Sequence, residues 1–126
     1  MSGFQSPLIF KKLDGNKFQL TAPLIYQVAP ERVITVPEGF VTDLASIPRV
    51  FYISTPPIGN YDLAAVVHDF LYSAQITTRA QADGLFRQAM QDCGVGRYTR
   101  TKMYLAVRLF GGAIWDRYAK DRQESA

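Results

Sequence analysis

A chain of 126 residues with 48% apolar and 20% charged side chains has the composition of a folded domain and excludes a disordered segment. It is long enough to bury a core without help from metal or disulfides. Its net charge of +3 is uneven, with five Lys/Arg against six Asp/Glu in residues 1–78 and nine against five in residues 79–126. That basic half holds no dense cluster and no clear nucleic-acid motif, so solvated helix faces are expected there. The single cysteine, Cys93, excludes an internal disulfide, and one Cys with one His leaves little basis for a zinc site. A small hydrophobe near a helix end is the expectation for it. No apolar run is long enough for a transmembrane segment, and the N-terminus lacks the basic-then-apolar order of an export signal.

Residues 7–42 read as strands. The segments Pro7–Leu13 and Lys17–Leu20 flank Asp14-Gly15-Asn16, whose Asp and Gly supply positive φ cheaply. Leu24–Val28 and Arg32–Val36 are β-branched and aromatic runs punctuated by Pro30 and Pro37. A short strand at Phe40-Val41-Thr42 completes an antiparallel meander. Residues 43–60 form an irregular loop in which Pro48, Pro56 and Pro57 bar regular helix.

Three helices follow, at about 61–74, 79–93 and 99–120. Asn60 is placed to cap the first. Thr78-Arg79-Ala80-Gln81 has the form of a capping box and opens the second, with Ala82, Leu85, Phe86 and Ala89 at core spacing. Gly94 and Gly96 close it. In the third, Met103, Val107, Phe110 and Ile114 form one stripe and Tyr104, Arg108 and Trp115 another, while Gly111-Gly112 admits close approach of a neighbouring backbone. The fold class is α+β: one domain over residues 1–126, with the strand meander packed on a three-helix C-terminal region.

The first helix carries the only histidine, His68, beside Asp69 and one turn before Tyr72. Residues four apart share a helix face, so Ala64, His68 and Tyr72 line up, and Asp69 lies about 100° round. Ala64 and Ala65 leave room for a second helix. If that helix carries Asp83, its carboxylate meets a ring nitrogen of His68, fixes the tautomer and leaves the other nitrogen to take a proton. Tyr72 then holds the same carboxylate. The competing expectation is a buried polar network that ties two helices together.

A second constellation is Gly39–Arg49. Asp43 and Ser46 suit turn and cap bonds with nearby backbone N–H groups, and no nucleophile elbow surrounds Ser46. Its chemical reading makes Ser46 a nucleophile served by His68 and a carboxylate. Arg79, Arg100 and Arg108 are candidates to bind a phosphate or carboxylate, with surface or helix-pairing roles as the expectation.

The order His68-Asp69-x-x-Tyr72, then Ala82-Asp83-x-x-Phe86, resembles the paired active-site helices of phospholipases A2. That resemblance implies His68 as the base that activates water, Asp69 as a calcium ligand, Asp83 as the orienting group and Tyr72 as its support. It spans roughly Gly59 to Met90. The family's glycine-rich calcium loop is not evident, since Pro56-Pro57-Ile58-Gly59-Asn60 holds one glycine.

Over the whole length, a wider set resembles a small family of phage and prophage proteins catalogued as a domain of unknown function. The set is Gly39-Phe40-x-Thr42-Asp43-x-Ala45-Ser46-Ile47-Pro48, Ala64-Ala65-x-x-His68-Asp69-x-Leu71-Tyr72, Arg79-x-x-Ala82-Asp83 and Met103-Tyr104-x-Ala106-Val107-Arg108. It implies a phage or prophage origin, synthesis in the host cytoplasm, and virion proteins or the host envelope as partners. Two functions are expected from these residues. One is a hydrolase of lipid ester or cell-envelope bonds. The other is a non-catalytic tail or head accessory protein in which the same side chains lock helices together.

Overall fold

Asp14 and Gly15 make the expected turn, with Gly15 at φ +75°, and the chain folds back on itself at once. The computed structural model describes residues 2–15, 17–43, 46 and 62–125. In it β2 (Phe10–Lys12) pairs antiparallel with β3 (Phe18–Leu20), so that Phe10 faces Leu20. A two-residue strand that the sequence reading did not anticipate, β1 (Gly3–Phe4), precedes them. Next come β4 (Leu24–Ala29), β5 (Arg32–Val36) and β6 (Val41–Thr42).

The six strands do not form a single meander. They make two three-stranded sheets, ordered β1-β4-β5 and β2-β3-β6. Pro23 has no N–H to give to a ladder, and the chain leaves the β2-β3-β6 sheet between β3 and β4. The Pro37–Gly39 turn brings it back. Gly39, at φ +91°, donates its N–H to Leu20 O at 2.8 Å, and Leu20 N–H meets Phe40 O at 2.9 Å. β6 therefore lands beside β3, carrying Thr42 inward. Alternation sends Leu24, Tyr26, Ile34 and Val36 into the core.

Four helices follow among the described residues: α1 (Asp62–Ala74), α2 (Arg79–Asp92), α3 (Arg97–Phe110) and α4 (Gly112–Ser125). The architecture is α+β, with both sheets N-terminal to the helices. No described helix is long and apolar enough to cross a membrane. α1 packs against α2, α4, β5 and β6, and Ala64, Ala65, Val66, Val67 and Leu71 are wholly buried around it. A helix covered on most sides is largely apolar, and His68 and Asp69 are the ionisable residues it buries.

The Thr78 capping box forms as expected, with Gln81 N–H on Thr78 Oγ1 at 3.1 Å and Thr78 N–H on Gln81 Oε1 at 3.0 Å. At the other end of α2, Gly94 adopts φ +80° and Val95 N–H returns to Met90 O at 3.0 Å. Cys93 caps this end, half-buried, with its thiol pushed up to about 11 by burial.

The third helix departs from expectation. The segment read as 99–120 starts at Arg97 and is divided at Gly111 into α3 and α4. Gly111 is buried against the Tyr72 hydroxyl, where a Cβ would overlap Tyr72 Oη and Val107 O. The break also undoes the expected continuous stripe. Met103 and Val107 are buried, whereas Phe110 ends α3 60% exposed. The capping role of Asn60 and the three prolines of the 43–60 loop lie outside the described residues.

Candidate functional site

α1 and α2 pack so that Asp83 reaches His68. The imidazole Nε2 lies 2.7 Å from Asp83 Oδ1, and Tyr72 Oη donates to the same oxygen at 2.7 Å. Arg108, from α3, donates to Asp83 Oδ2 at 2.8 Å, and Arg79 lies 3.5 Å from that oxygen. Burial alone would raise the pKa of Asp83. Hydrogen bonds from His68 and Tyr72, the His68 charge and the Arg108 bond outweigh it and hold the carboxyl below the usual carboxylate range. An ionised Asp83 can only accept at Nε2, so in the neutral imidazole the lone pair falls on Nδ1.

Nδ1 does not face open space. Ser46 Oγ lies 3.0 Å from it. Ser46 lies in a turn, and its described side-chain and main-chain partners sit 22 and 23 residues further along the chain. The imidazole is further fixed by two rings, Tyr72 at 4.3 Å and Phe86 at 4.6 Å between centroids. The groups run in order Ser46, His68, Asp83: a hydroxyl, an imidazole and a carboxylate, each within hydrogen-bond reach of the next.

Asp69 points the other way, toward β6. Its carboxylate accepts from Thr42 Oγ1, from Ser46 N–H at 3.2 Å and from Tyr118 Oη at 3.3 Å. Burial raises its pKa, partly offset by the Thr42 and Ser46 bonds. Burial also raises the Tyr118 phenol, reinforced by the charges of Asp69 and Asp43. Asp43 itself is half-buried beside Thr42. His68, Asp69 and Asp83 are 0% exposed and Ser46 is 1% exposed.

The calcium role implied for Asp69 does not suit these surroundings. Calcium needs six to eight oxygens with lone pairs turned inward. Both Asp69 oxygens instead face O–H and N–H donors, whose protons would repel a cation. Among the described residues no group of three or more His, Cys, Asp or Glu is placed to hold a metal ion. Asp69 anchors Ser46 and β6 to α1.

The arginines divide by partner. Arg108 neutralises Asp83, which raises its own pKa. Arg79 closes the C-terminal end of α3, donating to Val107 O at 3.1 Å and Arg108 O at 3.3 Å. Arg100 bonds Val95 O at 3.2 Å and takes no part in the site. The sequence reading gave no site role to Thr42, Phe86 or Tyr118, although Thr42 and Phe86 stand within the quoted motifs. Phe86 sits one turn beyond Asp83 and was legible as core. Thr42 and Tyr118 gave no local signal, since each meets Asp69 only through tertiary packing.

The family model DUF1353, described as a protein of unknown function, matches residues 18–107. It covers more than half of the chain, which therefore belongs to that family. The matched span carries Thr42, Ser46, His68, Asp69, Tyr72 and Asp83 and ends one residue short of Arg108. No curated protein and no solved structure matches the chain.

Proposed function

We propose that this chain is a phage- or prophage-encoded hydrolase of a lipid ester or cell-envelope bond, with His68 as its general base. The observation that carries this reading is the 2.7 Å contact of His68 Nε2 with an ionised Asp83, which turns Nδ1 into a proton acceptor beside a hydroxyl. Tyr72 holds the same Asp83 oxygen, so the carboxylate cannot rotate away from the ring without losing two bonds. The phage setting rests on the motif resemblance from Gly39 to Arg108. On this reading the protein is made in the host cytoplasm and meets envelope components or virion proteins.

Substrate reaches Nδ1 only when the cover over the buried centre moves. α4 has no fully buried side chain among the described residues, and it lends Tyr118 to Asp69 and sets Trp115 in T-shaped contact with Tyr72. Its displacement uncovers that side of the site.

A second reading has one observation in its favour. The complete burial of His68, Asp69 and Asp83 suits a network that ties α1 to α2, α3 and β6 in a non-catalytic virion component. Wild type and His68→Gln, both checked for folding by circular dichroism, separate the two on phospholipid vesicles and p-nitrophenyl esters. A hydrolase loses about a hundred-fold or more in rate with the variant. Absence of turnover by wild type on both substrates, with a large loss of melting temperature in the variant, supports the tie.

A further inference from the structure

We infer that Ser46, rather than a water molecule, is the nucleophile that His68 serves, so that the reaction passes through an acyl-serine. This rests on the hydrolase reading and names its attacking group. Ser46 Oγ already occupies, at 3.0 Å, the position at Nδ1 that an activated water would need. With the Nε2 proton committed to Asp83, Nδ1 accepts from the serine hydroxyl and draws its proton as the oxygen attacks.

Ser46 is also held twice, by residues adjacent in the chain. His68 Nδ1 lies 3.0 Å from its hydroxyl oxygen, and Asp69 accepts its backbone N–H at 3.2 Å and also draws on its side chain. Asp69 is in turn fixed by Thr42 and Tyr118. A serine present only to satisfy a buried imidazole needs one bond. Clamping both its main chain and its hydroxyl against the base sets the attack geometry, which is where orientation contributes most to rate.

The step balances. Ser46 Oγ forms a bond to the acyl carbon, and its proton passes to His68 Nδ1. The bond from the acyl carbon to the leaving oxygen breaks, and that oxygen takes the proton from Nδ1. Water then adds to the acyl-serine with the same base, releasing the acid and restoring the hydroxyl.

The test uses a fluorophosphonate and p-nitrophenyl butyrate with the full chain. Attack by Ser46 on phosphorus expels fluoride and leaves a covalent adduct, mapped to its residue by peptide mass spectrometry. The expected result is one adduct per chain at Ser46, none in His68→Gln, and at least a hundred-fold loss of butyrate hydrolysis in Ser46→Ala. The adduct on wild type needs no variant to fold, and a merely structural serine would not form it. If Ser46→Ala keeps hydrolysing while His68→Gln does not, water is the nucleophile and the inference fails while the hydrolase reading stands. If wild type neither hydrolyses nor labels, both fail.

Discussion

His68 and Asp69 are chain neighbours whose side chains leave α1 in different directions, and that divergence gives the two carboxylates of the site opposite electrostatic characters. Asp83, fed by three donors, has its pKa lowered; Asp69, buried with neutral donors, has its pKa raised. The signs follow by linkage. Asp83 contributes stability that is present above the unfolded carboxylate value, about 3.9, and is lost as pH falls through its lower folded value. Asp69 stabilises the fold most below that unfolded value, and its contribution declines as pH rises toward its folded value. The melting-temperature gap between wild type and Asp83→Asn is therefore expected to narrow on acidification from pH 7, as thermal melts across that range will show. Tyr72→Phe removes one donor to a buried charged acceptor and leaves the ring in place. It should cost roughly 1.5–3 kcal/mol, read from urea unfolding midpoints with an unchanged slope.

At the scale of elements, the decisive feature is the break at Gly111. The apolar residues of α3 and α4 fit one long helix, and local propensity offers no reason to stop beyond two glycines. The Tyr72 hydroxyl lies where a side chain at residue 111 would be, and beyond it α4 packs on α1. Gly111→Ala is expected to push Tyr72 off Asp83 and lower stability by about 1–3 kcal/mol, a fall of several degrees in melting temperature. Its signature is that the cost overlaps with that of Tyr72→Phe: the double variant loses less than the two singles together. Gln75, just past the end of α1, supports the same junction. It adopts φ 53° and donates its side-chain amide to Trp115 O at 2.9 Å.

Across the whole molecule burial is graded. α1 is enclosed by both sheets' residues and by its neighbouring helices, while α4 buries no side chain fully. Elements with fewer buried contacts open at lower free energy. Amide hydrogen exchange is expected to be fastest in α4 among the four helices and slowest in α1, and mass-resolved exchange will rank them. Slow exchange in α4, comparable with α1, would remove the access route proposed for a substrate of His68.

The sequence by itself determined the Thr78 capping box, the α+β class and, once α1 pairs with α2, a carboxylate within reach of His68. Each depends on spacing within an element or on one helix pairing with the next. It could not determine that β6 leaves β5 for β3, that Gly111 divides a helix, or that Ser46 sits on Nδ1 with Thr42 and Tyr118 behind Asp69. Those contacts join residues 22 to 49 apart, and no local pattern encodes which face of a distant element will arrive. Only tertiary packing decided them, because a buried carboxylate or imidazole must find partners wherever the closed fold brings donors within reach.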